Sequence, residues 1–186
     1  MPPKPKYTKK QITDAAFGIV RNRGMSALSA RSIAKALGSS TAPIFAFFDN
    51  IEELQKAVIS KASLLYSDYV RDGLNQTPAF KGAGMKYIQF AKEEPELFKL
   101  LFMSGTGGDI THYLPQSDSN SAIILETVEK CYGIDKEKAK RLYNHMSVYA
   151  YGFAALFAQR INIFTMEDIS RMMSEMFTAM INSENA

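Results

Sequence analysis

Residues 28–48 read LSARSIAKALGSSTAPIFAFF, two short apolar segments joined by a glycine and two serines. Ser29 is a good N-cap. Ala30, Ile33, Ala34 and Leu37 then recur at three- and four-residue spacings, which predicts a helix with one apolar face. Gly38 stops it. A second helix begins after Ser40, with Pro43 in its first turn, where the missing N–H costs no intrahelical bond. This is the layout of a helix-turn-helix, which presents its second helix to the major groove of DNA.

Working outward, Thr8-x-x-Gln11 matches a capping box, and Ile12, Ala15, Ala16, Ile19 and Val20 form the apolar face of a first helix. Gly24 is placed to end it in a left-handed conformation. Downstream, Asn50 caps a further helix with Glu53 as its box partner, predicted to run from residue 51 to about 72. Charge agrees with the motif. Residues 1–48 hold eight Lys/Arg and one acid, Asp14, a net of +7. The whole chain carries +3, which leaves −4 on residues 49–186. A basic head on a mildly acidic body is expected where only one part of a protein meets phosphate.

The bulk numbers are ordinary for a globular protein, with 186 residues, 46% hydrophobic and 22% charged. No apolar run approaches the ~18–20 residues of a membrane span, and the proline- and lysine-rich start is no signal peptide. The one cysteine, Cys131, cannot form an intrachain disulfide, so a reduced, cytoplasmic setting and a small packed thiol are expected. His112 and His145 lack the companions a metal site needs, and no nucleophile–base pair or phosphate loop appears. An enzyme, a catalytic site, a metal and a cofactor are therefore not expected.

Beyond residue 72 the signals stay helical, with segments expected at 80–94, 95–103, 120–132, 135–160 and 166–182. The chain breaks at 73–78, and a glycine-rich loop is expected at 104–119. The fold class is all-α, about nine helices: an N-terminal three-helix head at 1–48, with residues 1–6 a flexible arm, and a helical bundle at 49–186.

The head resembles the tetracycline-repressor (TetR) family of bacterial regulators. The resemblance rests on Ile12-x-x-Ala15-Ala16, Gly24, Leu28-Ser29-Ala30-Arg31-Ser32-Ile33-Ala34 and Leu37-Gly38-Ser39-Ser40. It continues through Ile44-Phe45-Ala46-Phe47-Phe48 and Glu52-Glu53-Leu54. It implies a homodimeric repressor on double-stranded, palindromic operator DNA, with a small-molecule effector held in the bundle and the last two long helices forming the dimer interface. The second reading is a related helical-bundle protein that acts through protein contacts, with weak or no specific DNA binding.

Phosphate contacts position such a head and base-edge contacts specify sequence. Lys9, Lys10, Ser29, Ser40 and Thr41 are the candidate phosphate binders, and Lys4 and Lys6 either add to them or only solubilise the arm. Arg31 is the candidate groove contact, while Thr41, Ala42, Phe45, Ala46 and Phe47 face outward from the third helix. Phe45 and Phe47 have an alternative as packing residues. The family pattern favours tyrosine at the position of Phe45, histidine or tyrosine at that of Phe47, and lysine at that of Ile51. Each departure removes a polar contact, leaving thymine methyls and DNA shape to carry more of the specificity.

In the body, the aromatics Tyr66, Phe90, Phe98, Phe102 and Tyr143 are the candidate ligand-binding residues, although spacing does not separate pocket lining from core. Tyr69 and Tyr151 belong to the same group. Residues 149–158 are apolar nearly all round, which calls for burial on more than one side. Gly152, Phe153 and Leu156, with the stripe Met172, Met173, Met176 and Met180, are the candidate dimer interface.

Overall fold

The computed structural model describes residues 6–104 and 120–184. Among them are nine α-helices and no strand. The helices are α1 (Lys9–Arg23), α2 (Ala30–Leu37), α3 (Ala42–Phe45), α4 (Ile51–Leu74) and α5 (Ala79–Glu93). They continue as α6 (Pro95–Phe102), α7 (Ser121–Tyr132), α8 (Lys136–Ala158) and α9 (Met166–Glu184), with a 3-10 turn at Met25–Ala27. The all-α expectation holds. The arm up to residue 5, including Lys4, and residues 105–119 of the loop expected at 104–119, including His112, lie outside the described residues.

Local signals set most of the helix ends. Thr8 accepts from the Gln11 N–H while the Gln11 side chain accepts from Thr8, closing the expected box. The box at Ser29 closes with Ser32 as the reciprocal partner. At α4 the expected box is only half made. Asn50 caps the Glu53 N–H at 2.8 Å, but the Glu53 carboxylate reaches past it to the Asp49 N–H at 2.9 Å and to Lys9. Thr165 and Asp168 cap α9 reciprocally. Gly24 departs from expectation. Its φ of 78° is positive, but its ψ of 169° is extended, which turns the chain into the 3-10 segment.

Burial welds the helices into one core. Ile12, Val20, Ile33, Ile44, Phe48, Leu54 and Val58 are at most 1% exposed. Each such side chain contributes about 1.5–3 kcal/mol of burial energy. Phe17, not assigned to the apolar face from sequence, is buried, while Ala15 is only partly so. The same continuous core runs on through Ala62, Tyr66 and Val70 to α5, α6 and α8. Helix α4 is the shared element: its start packs on α1 and its end packs on α5. There the backbones nearly touch, since a Cβ on Gly82 would lie 2.1 Å from the Gly73 carbonyl oxygen.

Cys131 is exposed, not packed. Ile124 and Val128, at four-residue spacing, are the buried side chains of α7, and Tyr132 continues their line against the core. Cys131 falls outside that face.

Candidate nucleic-acid interface and cavity

The turn between α2 and α3 follows from Gly38, whose φ of 60° and ψ of 42° are left-handed. Its N–H reaches the Lys35 carbonyl, and the Ser39 N–H reaches back to the Ala34 carbonyl at 2.9 Å, satisfying carbonyls that the helix end would otherwise leave open. Helix α3 then lasts only one turn. Ile44 and Phe48, both 1% exposed, face inward and anchor it to the head core. Ala42 and Ala46 are exposed, Thr41 is half-buried, and Phe45 is 52% exposed, so the outward reading of Phe45 holds over packing. Phe47 does some of both: it is half-buried and rests against the core. Neither Ser40 nor Thr41 spends its hydroxyl on capping α3.

The basic residues fall into two groups. Arg31 and Lys35 on α2 are exposed and make no ion pair among the described residues. Lys9 and Lys10 are already engaged. Lys9 Nζ lies 3.1 Å from Glu53 and 4.7 Å from the centre of the Phe48 ring, while Lys10 Nζ lies 2.9 Å from Asp14. Lys61 also pairs with Asp14, tying α1 to α4. The Lys61 hydrogen bond, helped by Lys10, holds the Asp14 carboxyl below its ordinary range. Glu53 is lowered first by the Asp49 N–H and then by Lys9. The Tyr7 hydroxyl donates to the Leu37 carbonyl at 2.5 Å, joining the start of α1 to the end of α2.

A partly buried ion pair adds to the contacts of the head with the body. Glu94, 4% exposed between α5 and α6, accepts two hydrogen bonds from the Arg21 guanidinium of α1, the Nε one at 2.7 Å. That carboxylate raises the pKa of Arg21, and two parallel bonds fix the angle between the partners. Beside it, Tyr69 donates to Glu93 at 2.5 Å, and burial first, then that bond, pushes the phenol pKa up.

Behind this joint, α4, α5, α7, α8 and α9 enclose a cavity of about 290 Å³. Tyr66 and Tyr143 line it. Phe90, Phe98 and Phe102 do not, which corrects the sequence expectation. They are 0%, 0% and 7% exposed and form an aromatic floor behind the wall. The Phe98 and Phe102 rings each lie 5.4 Å from Tyr87, and Phe90 lies 5.4 Å from Tyr66. Rings at such distances in tilted or edge-on contact pack as core. Phe80, Lys81, Tyr87, Tyr132, Met146, Ser147 and Phe177 complete much of the wall, and none of them was singled out from sequence as cavity lining.

The methionine stripe of α9 divides. Met173 is buried and lines the cavity, so it leaves the candidate dimer face. It shares its side of the helix with Ile169 and Phe177 at four-residue spacing, while Met172, Met176 and Met180 repeat on a neighbouring side. Met172 is half-buried against the core. Met176 and Met180, with Gly152, Phe153 and Leu156 of α8, line an open groove on the outer surface. Phe153 is mostly buried there, and Val148 stands 60% exposed in the same groove beside His145.

Among the described residues no group of three His, Cys, Asp or Glu side chains is placed to hold a metal ion. No helix among them is long and apolar enough to cross a membrane. Residues 12–58 match the family model described as bacterial regulatory proteins, tetR family. The match spans the helix-turn-helix head and the first third of α4. A comparison with curated proteins finds no match. With its matched residues, its capped turn and the exposed cations Arg31 and Lys35, the head is that of the tetR-family DNA-binding regulators, the module by which such proteins meet DNA.

Proposed function

We propose that the chain is a homodimeric repressor, released from a palindromic operator when a small molecule fills the cavity, and that it works in the cytoplasm. Residues 1–48 act as the DNA-binding domain and 49–186 as the effector and dimerisation domain. Helix α4 carries this reading: it starts by packing on α1 and ends by lining the cavity with Tyr66 and Val70. A ligand that spreads Tyr66 and Tyr87 presses on Phe98 and Phe102 of α6, and Glu94 at the start of α6 grips Arg21 of α1. Filling the cavity thereby favours a different head angle, and the spacing of two heads fixes which half-sites they span. The open groove of α8 and α9 supplies an apolar face for a second copy.

On the DNA, Lys9, Lys10, Ser29, Ser40 and Thr41 hold phosphates, with Arg31 reaching base edges. Ala42, Phe45, Ala46 and Phe47 present an apolar surface to thymine methyls. The one-turn, donor-poor α3 is the observation that favours the second reading, a bundle acting through protein contacts. The free cations of α2 weigh against it.

A gel-shift titration with the protein's own upstream DNA tests the proposal. Retardation at low salt that steepens at a two-half-site fragment is expected, along with a fall in reporter expression when the protein is supplied. No binding at low salt overturns it, and a rise in reporter expression makes the protein an activator. Val148→Glu is expected to yield a monomer in sedimentation and to lose the two-half-site complex.

A further inference from the structure

We propose that the cavity takes an aromatic carboxylic acid as its anion, the ring system packed among aromatic side chains and the carboxylate paired with Lys81. This rests on the reading of the cavity as the effector site. Lys81 is the one charged side chain among the described residues that line the cavity; its other lining side chains are apolar, aromatic or hydroxyl-bearing. Lys81 is half-buried and has no ion-pair partner among the described residues. By contrast, Lys86 on the same helix is matched by Asp72 at 2.5 Å. A partly desolvated ammonium calls for a counter-charge, and no carboxylate among the described residues lines the wall to provide one.

The surroundings reinforce the sign of the charge. Lys81 sits in the first turn of α5, which has no side-chain cap, so the helix dipole adds positive potential at that end of the cavity. Pro78, just before the helix, also lines the wall, which places this end at the cavity. A neutral apolar ligand would displace water from Lys81 and return nothing. A carboxylate returns a charge-assisted hydrogen bond.

The rest of the wall chooses the body of the ligand. Tyr66, Phe80, Tyr87 and Tyr143 present rings, and Phe177 packs edge-on against Phe80 at 6.0 Å. Ring faces and edges match an aromatic guest better than a flexible chain. A volume of about 290 Å³, at the foot of the range for small-molecule pockets, holds one or two rings.

The test is calorimetric titration of the full chain with benzoate, 2-naphthoate and biphenyl-4-carboxylate, each beside its primary amide. The best acid is expected to bind about 10- to 100-fold tighter than its amide, the range of a charge-assisted hydrogen bond. Lys81→Gln removes that preference and leaves the amide's affinity unchanged, while Lys81→Arg retains it. Gly84→Phe, which fills the cavity from α5, abolishes binding of both. An amide equal to its acid, an acid preference that survives Lys81→Gln, binding that survives Gly84→Phe, or no binding by any of the acids overturns the proposal. Anisotropy of operator DNA separates it from the effector reading. Lys81-dependent binding of the acid without release of DNA keeps the anion site and sinks the effector role. Equal release by acid and amide does the reverse.

Discussion

The head and the body are built from similar amphipathic helices, yet they spend their side chains in opposite directions. In the head, the apolar residues Ile12, Ile33, Ile44 and Phe48 fix a surface from within, and Arg31, Lys35 and Phe45 stand exposed on it. In the body, the rings of Tyr66, Phe80, Tyr87 and Tyr143 are turned inward, around a space that α4, α5, α7, α8 and α9 leave unfilled. A surface of the first kind depends on local geometry, mainly caps and turns. A cavity of the second kind depends on how distant helices cross. Helix α4 belongs to both, so damage to one region is expected to reach the other.

The crossing of α4 and α5 is the point at which to break this picture most severely. Gly82→Val puts side-chain carbon against the Gly73 carbonyl oxygen, and backbone cannot yield without parting the helices. A loss of about 3 kcal/mol or more is expected in urea denaturation. Because the core is continuous, operator binding is expected to vanish in the same transition. A head that still bound DNA after the body had melted would show the two regions to be independent. Gly84→Ala is the mild control, since its added carbon meets only the flexible end of Met173 at 3.3 Å.

Next in size is the joint itself. Arg21→Ala leaves the Glu94 carboxylate buried without its partner, at an expected cost of about 2–3 kcal/mol, moderated because Arg21 is half exposed. Adding Glu94→Gln to that variant is expected to restore part of the loss, since the amide has no charge to strand. If the double variant is no more stable than Arg21→Ala alone, the pair is not the joint between the regions.

Within the head, two single changes separate the kinds of DNA contact. Arg31→Ala is expected to weaken the best operator by about 1–3 kcal/mol and to relax sequence preference, measured as the ratio to random DNA. Lys10→Ala is expected to weaken all sequences alike and to lower the salt slope by less than the ~0.9 of a full phosphate contact. The shortfall follows from Asp14, which already neutralises Lys10 in the free protein. Equal effects from the two variants would mean that their roles are exchanged.

How much of this was legible beforehand tracks the same divide. Ser29, Gly38, Asn50 and the spacing of Ile33 and Ile44 act within a few residues of themselves, so the head could be read along the chain. Glu53 shows where that stops: its bond to the Asp49 N–H is local, but its pairing with Lys9 depends on α1 lying alongside. In the body, the helices were legible but their facing was not. Phe98 and Tyr143 are alike in sequence context, and only the crossing of α6 and α8 with α5 puts one in the floor and the other in the wall. Met173 and Met176 lie three residues apart, and which one meets the cavity depends on how α9 is rotated. Lys81 gave no signal, because an unpaired lysine at a helix start reads as surface until a cavity is found behind it.

The smallest effect distinguishes the regions by acid. Asp14 and Glu53 have carboxyl pKa values held below their ordinary 3.8 and 4.5, and their bonds join α1 to α4 across the head. Asp135 and Asp168 are lowered too, by the Lys138 N–H and by Thr165, but those contacts only cap their own helices. A carboxylate with a depressed folded pKa adds stability that is fully present above its unfolded value and fades as pH falls through the folded one. Acid below about pH 4.5 is therefore expected to loosen the docking of α1 on α4 before it melts the body. Hydrogen exchange should show α1 amides losing protection in that window while α5 amides keep theirs. Asp14→Asn with Glu53→Gln is expected to show the weakened α1 protection already at neutral pH and to flatten its dependence on acid. Uniform loss of protection over α1 and α5 would place the acid-sensitive contacts in the shared core instead of at the head's own seam.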